Sequence, residues 1–340
     1  MNQQNPAIPK MPAGALRSLW MGAETVSSHP PLLLIPVAVD LLIWLGPHLS
    51  VQPIVSPLLD LLARNASLSG LSPQDTAQSI AGLVEIAKHL NLVALLAFMP
   101  LFPPSLMASQ PPLSSPWGSP MTVQMSSIPF YVLIAFAFGL AGLLLGSLYW
   151  IWVGEAVRRE KEAASSRLYE WLRVSVGMIV LGVAAAILLI ALAVPAGVLI
   201  GIADAISPLV GQIALVIAGG LALWMLVFLV FTIHGMVLSG DLPPRAVGKS
   251  IEVVRWSYAS ALSWVLLTVL VLVMTNTVWT LPAEGSWTRL IGVLGNAYTS
   301  SALVAGSLIF YGDRRRWVEE MRRYLEQRNR ASAGGPPANA

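Results

Sequence analysis

Six long apolar segments are the feature of this chain that most constrains its fold. They lie at residues 31–49, 128–153, 174–202, 209–238, 260–281 and 290–311. A helix needs about 20 apolar residues to cross the hydrocarbon core of a bilayer, because each residue advances it by about 1.5 Å. Each segment is about that long or longer. The sequence therefore predicts an all-α integral membrane bundle with six transmembrane helices.

The composition excludes several classes of function. Only 11% of the 340 residues are charged, whereas soluble domains are about a quarter charged, so the chain is not an ordinary soluble enzyme. The absence of cysteine excludes disulfides, a thiolate nucleophile and a cysteine-ligated zinc. The four histidines show no ligand spacing, and no catalytic group of side chains is apparent. We therefore predict no metal, no cofactor and no enzymatic activity.

The distribution of basic residues predicts the orientation. If the N-terminus is inside, seventeen of the twenty Lys and Arg residues fall in inner segments, and only Arg64, Lys88 and Arg289 fall in outer ones. Loops rich in Lys and Arg remain on the cytoplasmic side. The sequence thus predicts a protein of the prokaryotic inner or plasma membrane with both termini cytoplasmic. The same arginines account for the basic isoelectric point, so a nucleic acid partner is not predicted.

The segments outside the spans have their own patterns. Residues 1–14 and 331–340 are polar and predict disordered tails on either side of a membrane domain at 15–330. The segment 15–26 places Leu16, Leu19 and Trp20 at helical spacing, which predicts a short interfacial helix.

A long outer loop is predicted at 51–127. Within it, the apolar run 92–107 is too short to cross the membrane and contains Pro100, Pro103 and Pro104. A re-entrant or surface-lying segment is therefore expected there.

Asp40 is the most costly polar residue in the predicted spans, since it lies in the middle of the first one. A carboxylate at the bilayer centre costs about 2.5–3.5 kcal/mol on insertion scales, so it should face the bundle interior. Asn296, Thr299 and Thr268 are predicted to lie at a similar depth in the membrane, so they are its candidate hydrogen-bond partners. Two interpretations remain open, a structural hydrogen bond between helices and a relay for protons or ions.

His234 lies near the inner end of the fourth span. It is interpreted as an interfacial histidine satisfied by backbone or water, with a titrating switch as the alternative. Small residues four apart, Gly142 with Gly146 and Gly197 with Gly201, predict close helix packing within the bundle.

The inner connection after the fourth span, PPRAVGKSIEVVRW, predicts a short amphipathic helix on the inner membrane surface. Prolines suit its start, and Arg245 and Lys249 share one face with Glu252 and Trp256. Arg255 adds a further positive charge. This helix is a candidate site for membrane lipids or for a protein partner at the inner face, and a structural elbow between spans is the alternative.

The stretch MVLSGDLPPRAVGKSIEVVRWSYASALSWVLLTVL resembles the membrane domain found beside glycerophosphodiester phosphodiesterases and in related bacterial and archaeal membrane proteins. Ala246, Ser250 and Trp256 occupy the positions of that pattern. The closing segment SLIFYGDRRRW is similar to the aromatic-Asp-Arg end of the family domain at Tyr311, Asp313 and Arg314. The resemblance covers 174–317, and it implies a membrane domain without the hydrolase barrel.

The sequence therefore predicts a non-enzymatic scaffold, assembly or lipid-interacting module in the membrane. The alternative is a small transporter or permease in which Asp40 lines a polar path.

Overall fold

The computed structural model is almost entirely helical. It describes residues 8–65, 77–78, 80–84, 87, 90–97, 105–109, 114–123, 127–158 and 164–333. Its helices are α1 (Ala15–Ser28), α2 (Leu34–Leu45), α3 (Gln52–Asn65), α4 (Leu106–Ser109), α5 (Ile128–Arg158), α6 (Ala164–Ile206), α7 (Pro208–Leu229), α8 (Thr232–Ser239), α9 (Pro243–Trp256), α10 (Tyr258–Trp279) and α11 (Arg289–Ala333). Short 3-10 turns occur at Pro30–Leu33 and Leu92–Leu96. Strand β1 (His48–Leu49) pairs in parallel with β2 (Thr122–Val123).

Among the residues that the structure describes, five helical segments are long and apolar enough to cross a membrane: α5, α6, the α7–α8 pair, α10 and α11. A sixth is added if α1 and the helical segment Pro30–Leu45, which meet at a bend of 99°, count as one span. The predicted all-α membrane bundle is therefore confirmed.

The first predicted span differs from the expectation of one helix over 31–49. Its helix ends at Leu45, and His48 and Leu49 instead pair with β2. The 12 residues of α2 extend only about 18 Å at the helical rise. By itself α2 is shorter than the hydrocarbon core of a bilayer, which is about 30 Å thick.

The chain forms two compact units. The first contains the described residues of Met1–Thr25, Gly154–Val269 and Leu303–Ala340, and the second contains those of Val26–Val153 and Leu270–Ala302.

The core of the second unit is built around α2. Val39, Ile43 and Trp44 are buried together with residues from both ends of the apolar run 92–107 and with Val293 of α11. The residues from the run are Val93, Leu96, Leu106 and Met107. Its middle, 98–104, lies outside the described residues. The described ends of the predicted re-entrant segment are therefore packed in the protein core.

The core of the first unit is aromatic. Phe231, Trp264, Phe310 and Tyr311 are buried together with Val253 and Val254 of α9 and Ala261 of α10. α1 packs on α11 at Gly306, where a Cβ atom would lie 2.9 Å from the Ser18 carbonyl oxygen. This close approach requires the absence of a side chain.

The predicted N-terminal tail is held in place where the structure describes it. The indole Nε1 of Trp317 donates a hydrogen bond to the Pro9 carbonyl oxygen at 3.3 Å, and Arg314 Nη1 donates to Ala13 O at 3.0 Å. The prediction of disorder is thus wrong for residues 9–13, because α11 supplies donors to their backbone. Residues 1–7 and 334–340 of the two predicted tails lie outside the described part of the chain.

α6 and α7 pack on each other as a hairpin, and they make few contacts with the other described helices. Of their most apolar stretches, 11% and 0% of the residues are buried. The two glycine pairs predicted to allow close helix packing, Gly142 with Gly146 and Gly197 with Gly201, have different surroundings. A Cβ at Gly142 would lie 2.6 Å from Leu96 O, whereas no described atom lies within 4 Å of that position at Gly197 or Gly201. The hairpin therefore presents its apolar surface to the bilayer.

Candidate functional site

Asp40 is buried, with 1% of its surface exposed, and its partners are not the predicted ones. Its carboxylate accepts a hydrogen bond from the Ser105 hydroxyl, and further ones from the backbone N–H of Leu106 at 3.3 Å and of Met107 at 3.2 Å. Asn296 and Thr299 supply none of these bonds. The carboxylate instead fixes the start of α4 against α2.

The position of Asp40 also differs from the expected middle of a span. Leu106, which donates to its carboxylate, packs 3.4 Å from the Cβ position of Gly292 in the first turn of α11. Asp40 therefore lies near the end of α11 that begins its membrane-spanning part. There the cost of burying a charged group is lower than at the bilayer centre.

A buried arginine lies in the same unit at the turn between α10 and α11. Arg289 Nη1 donates to the carbonyl oxygens of Thr280 at 2.8 Å and Pro282 at 3.0 Å. Its Nε and Nη2 atoms have no hydrogen-bond partner among the described residues. Arg289 thus closes the turn between the two helices.

The other intramembrane polar residues make separate contacts. His234 is buried and its Nε2 lies 2.8 Å from the Ser307 hydroxyl, so this partner is a side chain rather than backbone or water. The backbone carbonyl oxygen of Asn296 accepts from Ser300 Oγ at 2.6 Å within α11. Thr299 Oγ1 accepts from the Trp279 indole at 3.3 Å. Each of these contacts is distinct from the hydrogen bonds of Asp40.

The predicted inner amphipathic helix is present as α9, and its basic residues meet at one carboxylate. Asp241 Oδ1 lies 3.2 Å from Lys249 Nζ and 3.6 Å from Arg245 Nε, and its Oδ2 lies 2.8 Å from Arg315 Nη1 of α11. We call these four residues the Asp241 cluster. Arg255 is exposed on the same helix and lies outside the cluster.

Two further arginines surround a second buried carboxylate in the same unit. Glu170 lies 3.5 Å from Arg158 and 3.7 Å from Arg173. The guanidinium of Arg173 packs on Gly240, which has a left-handed backbone with φ of +64° at the end of α8. Any side chain at Gly240 would be strained and would collide with Arg173. The turn between α8 and α9 therefore packs directly against the guanidinium of Arg173.

Sequence reasoning identified Arg245 and Lys249 but missed Asp241, Arg315 and Glu170. Arg245 and Lys249 are four residues apart and share a helix face, and Asp241 lies two residues before that helix begins, so this part of the cluster had a usable local signal. No local signal connects Arg315 to the cluster or Glu170 to Arg158, because these contacts join different helices.

The fold and these contacts define a polytopic helical membrane protein with a basic polar cluster at the end of one span. No protein-family model matches the chain, and no match to it was found among curated proteins or solved structures. The resemblance to the membrane domain of glycerophosphodiester phosphodiesterases stays a prediction.

Proposed function

We propose that this protein is a non-enzymatic integral membrane protein that binds anionic lipid headgroups through the Asp241 cluster. The observation that carries the proposal is the convergence of Arg245, Lys249 and Arg315 on one carboxylate. Asp241 and Glu319, which pairs with Arg315 at 3.3 Å, together neutralise only two of the three positive charges. The cluster therefore keeps an excess of positive charge in a fixed arrangement.

The exposure of Arg245 suits a headgroup ligand. The Asp241 side chain is only 5% exposed and that of Arg245 is 73% exposed. The buried carboxylate orients the basic side chains, while the guanidinium of Arg245 remains exposed and can contact a phosphate. Arginine pairs with phosphate oxygens through two parallel N–H donors, so Arg245 is the residue expected to contact the lipid directly.

The position of the cluster along the chain supports the same ligand. The α7–α8 pair is long and apolar enough to cross the membrane, and Asp241 follows its end at Ser239 by two residues. Phosphate headgroups lie at that level of a bilayer. The positive-inside charge bias of the sequence favours the cytoplasmic side for this end, and anionic lipids on that side attract basic segments.

The transporter alternative has less support from the geometry. Asp40, which would line the path, makes its hydrogen bonds with the residues at the start of α4. A carboxylate held by these donors connects two segments of the protein and has little capacity left to bind a passing ion.

The test is lipid binding by the full chain in detergent, measured by native mass spectrometry with phosphatidylglycerol. We expect Arg245→Ala and Lys249→Ala each to weaken binding about five-fold, the effect of one basic residue near an anionic surface. The matched control is Arg255→Ala, which removes the same charge from the same helix outside the cluster. Higher salt should weaken binding by the unaltered protein.

Two outcomes would contradict the proposal. One is unchanged phosphatidylglycerol binding in both cluster variants. The other is an equal loss in the Arg255→Ala control, which would indicate a diffuse basic surface.

A further inference from the structure

An open polar cleft lies between the N-terminal segment, α1 and α11, all within the first unit. Its volume is about 430 Å³, and its charged and aromatic lining consists of Lys10, Arg17, Asp313, Arg316, Trp317 and Glu320. Small-molecule sites are commonly about 300–1,000 Å³ in volume. The cleft is thus large enough for a compact polar group.

The α11 wall of the cleft is one face of the helix. Arg316 and Trp317 lie three and four residues after Asp313, and Glu320 lies four and three residues after them, so these side chains project to the same side of the helix. Arg315 and Glu319 pair with each other, and Arg315 also contacts Asp241. One face of these turns of α11 therefore contributes Arg315 to the Asp241 cluster, and another face lines the cleft.

The other walls are held in place by contacts that involve no ligand. Trp317 and Arg314 bind the backbone of Pro9 and Ala13, as described above. The Arg314 guanidinium is buried over the Phe310 ring, 3.8 Å from its centroid. Because the segment and the helix are both anchored, the cleft is a preformed feature of the unit.

The charges in the cleft are only partly paired. Arg316 and Asp313 form an ion pair at 2.7 Å. Lys10, Arg17 and Glu320 make no ion pair with any other residue in the described part of the chain. The cleft therefore offers two cations and one carboxylate to a ligand. That set matches a ligand that carries both a phosphate and an amine.

We propose that this cleft binds the headgroup of an aminophospholipid, a phosphodiester linked to a primary ammonium group. Lys10 and Arg17 bind the phosphate oxygens, and Glu320 accepts hydrogen bonds from the ammonium. The indole of Trp317 adds an aromatic face to the cation site. This site is separate from the Asp241 cluster, and the inference does not depend on the function proposed for that cluster.

The α1 wall indicates that the ligand is a lipid. Leu16 and Trp20 of α1 are 72% and 74% exposed, and each directly precedes a residue that lines the cleft, Arg17 or Met21. Exposed Leu and Trp beside basic residues on a short helix are typical of helices that lie in the membrane interface. A headgroup in the cleft would thus have its acyl chains beside an apolar helix face.

The experiment uses the full chain in detergent and native mass spectrometry, with phosphatidylethanolamine and phosphatidylglycerol of the same acyl chains. To remove phosphatidylglycerol bound at the Asp241 cluster, the two lipids are compared in an Arg245→Ala, Lys249→Ala background, which should retain more phosphatidylethanolamine than phosphatidylglycerol. Arg17→Ala should weaken phosphatidylethanolamine binding about five-fold, the effect of one basic contact at a membrane surface. Glu320→Gln should reduce the preference for phosphatidylethanolamine over phosphatidylglycerol.

Matched control positions lie on α11, outside the cleft. Arg323→Ala and Glu326→Gln make the same charge changes at exposed positions and should leave binding unchanged. If Arg17→Ala lowers the melting temperature, Lys10→Ala replaces it, because Lys10 lies outside any helix.

Three results would overturn the inference. Equal retention of the two lipids by the variant that lacks Arg245 and Lys249 would exclude recognition of the amine. An equal effect of Arg17→Ala and Arg323→Ala would exclude the cleft. Binding of free O-phosphoethanolamine without binding of the lipid would assign the cleft to a soluble phosphorylated amine.

Discussion

At the scale of single residues, the Asp40 carboxylate connects two segments that are distant in the sequence. Its three donors lie at Ser105, Leu106 and Met107, and the Ser105 hydroxyl also accepts from the backbone N–H of Ala108 at 3.0 Å. The acid therefore replaces the intrahelical acceptors that the first N–H groups of a helix lack. It holds α4 in the core beside α2.

We expect Asp40→Asn to destabilise the protein without changing lipid binding. One carboxylate oxygen becomes an amide N–H group, which would face a backbone donor, so a buried N–H is left without an acceptor. Such a loss costs about 1–3 kcal/mol. The measurement is the melting temperature in detergent, with lipid retention by native mass spectrometry as the second measurement. A fully stable Asp40→Asn variant would contradict the structural role.

Gly306 allows α1 to approach α11, and its substitution is a second test at this scale. In Gly306→Ala the new Cβ would lie 2.9 Å from both the Ser18 carbonyl oxygen and the Trp264 ring. Overpacking of this kind costs about 1–3 kcal/mol, so the melting temperature should fall.

The control for Gly306 is Gly197→Ala in α6, where no described atom lies within 4 Å of the Cβ position. Alanine forms helices better than glycine by about 1 kcal/mol, so this variant should be as stable as the unaltered protein or more so. Equal destabilisation by the two substitutions would argue against tight packing at Gly306.

At the scale of elements, the interruption between α7 and α8 is stabilised by α9. The Ser250 hydroxyl donates to the Phe228 carbonyl oxygen at 2.7 Å and accepts from the backbone N–H of Phe231 at 3.2 Å. Both backbone groups lie where the regular helical pattern is broken. Ala246, one turn earlier, is fully buried against Gly235. The small residues of α9 therefore allow it to pack on the interruption and to bond with it.

Ser250→Ala should weaken this junction. It removes a donor and an acceptor at once from buried backbone groups, and each unsatisfied group costs about 1–3 kcal/mol. We expect a lower melting temperature, with faster hydrogen exchange at residues 228–234. Ser263→Ala is the control, because its hydroxyl is exposed and bonds only within α10. Similar exchange rates in the two variants would be evidence against the bridging role of Ser250.

The sequence predicted α9 well and the N-terminal segment poorly, for physical reasons. Pro243 and Pro244 and the spacing of Arg245 and Lys249 are local signals, and they give the observed helix Pro243–Trp256. The contacts of residues 9–13 come from α11, about 300 positions later. A polar, proline-rich segment has no local pattern that shows such a partner, so its order and the cleft beside it were missed.

The same limit applies to Asp40. The cost of a buried carboxylate predicted correctly that it would be hydrogen-bonded inside the protein. Asn296 and Thr299 were predicted as partners because they would lie at the same depth in the membrane as Asp40 if the first span were one helix over 31–49. Because α2 ends at Leu45, that depth was wrong, and the true partners lie in a segment rich in proline.

At the scale of the whole molecule, the orientation remains a prediction that the absence of cysteine makes easy to test. A single cysteine placed at an exposed position is the only thiol in the chain. With both termini cytoplasmic, Met121→Cys should react with a membrane-impermeant maleimide added to intact cells, and Arg323→Cys should react only after permeabilisation. Both parent side chains are exposed.

The control for the labelling is the unaltered chain, which should give no signal. Labelling of Arg323→Cys but not Met121→Cys in intact cells would reverse the orientation. It would also place the Asp241 cluster and the cleft outside the cytoplasm.

The α6–α7 hairpin makes the protein sensitive to the thickness of its bilayer. The apolar part of α6, residues 174–202, extends about 44 Å at the helical rise, against about 30 Å of hydrocarbon. A helix with such a mismatch tilts, kinks or thickens the bilayer around it, and this cost sorts proteins between membranes of different thickness. Pro195, inside α6, removes one backbone hydrogen bond and provides a place to bend. The hairpin thus couples the shape of the molecule to the length of the acyl chains that surround it.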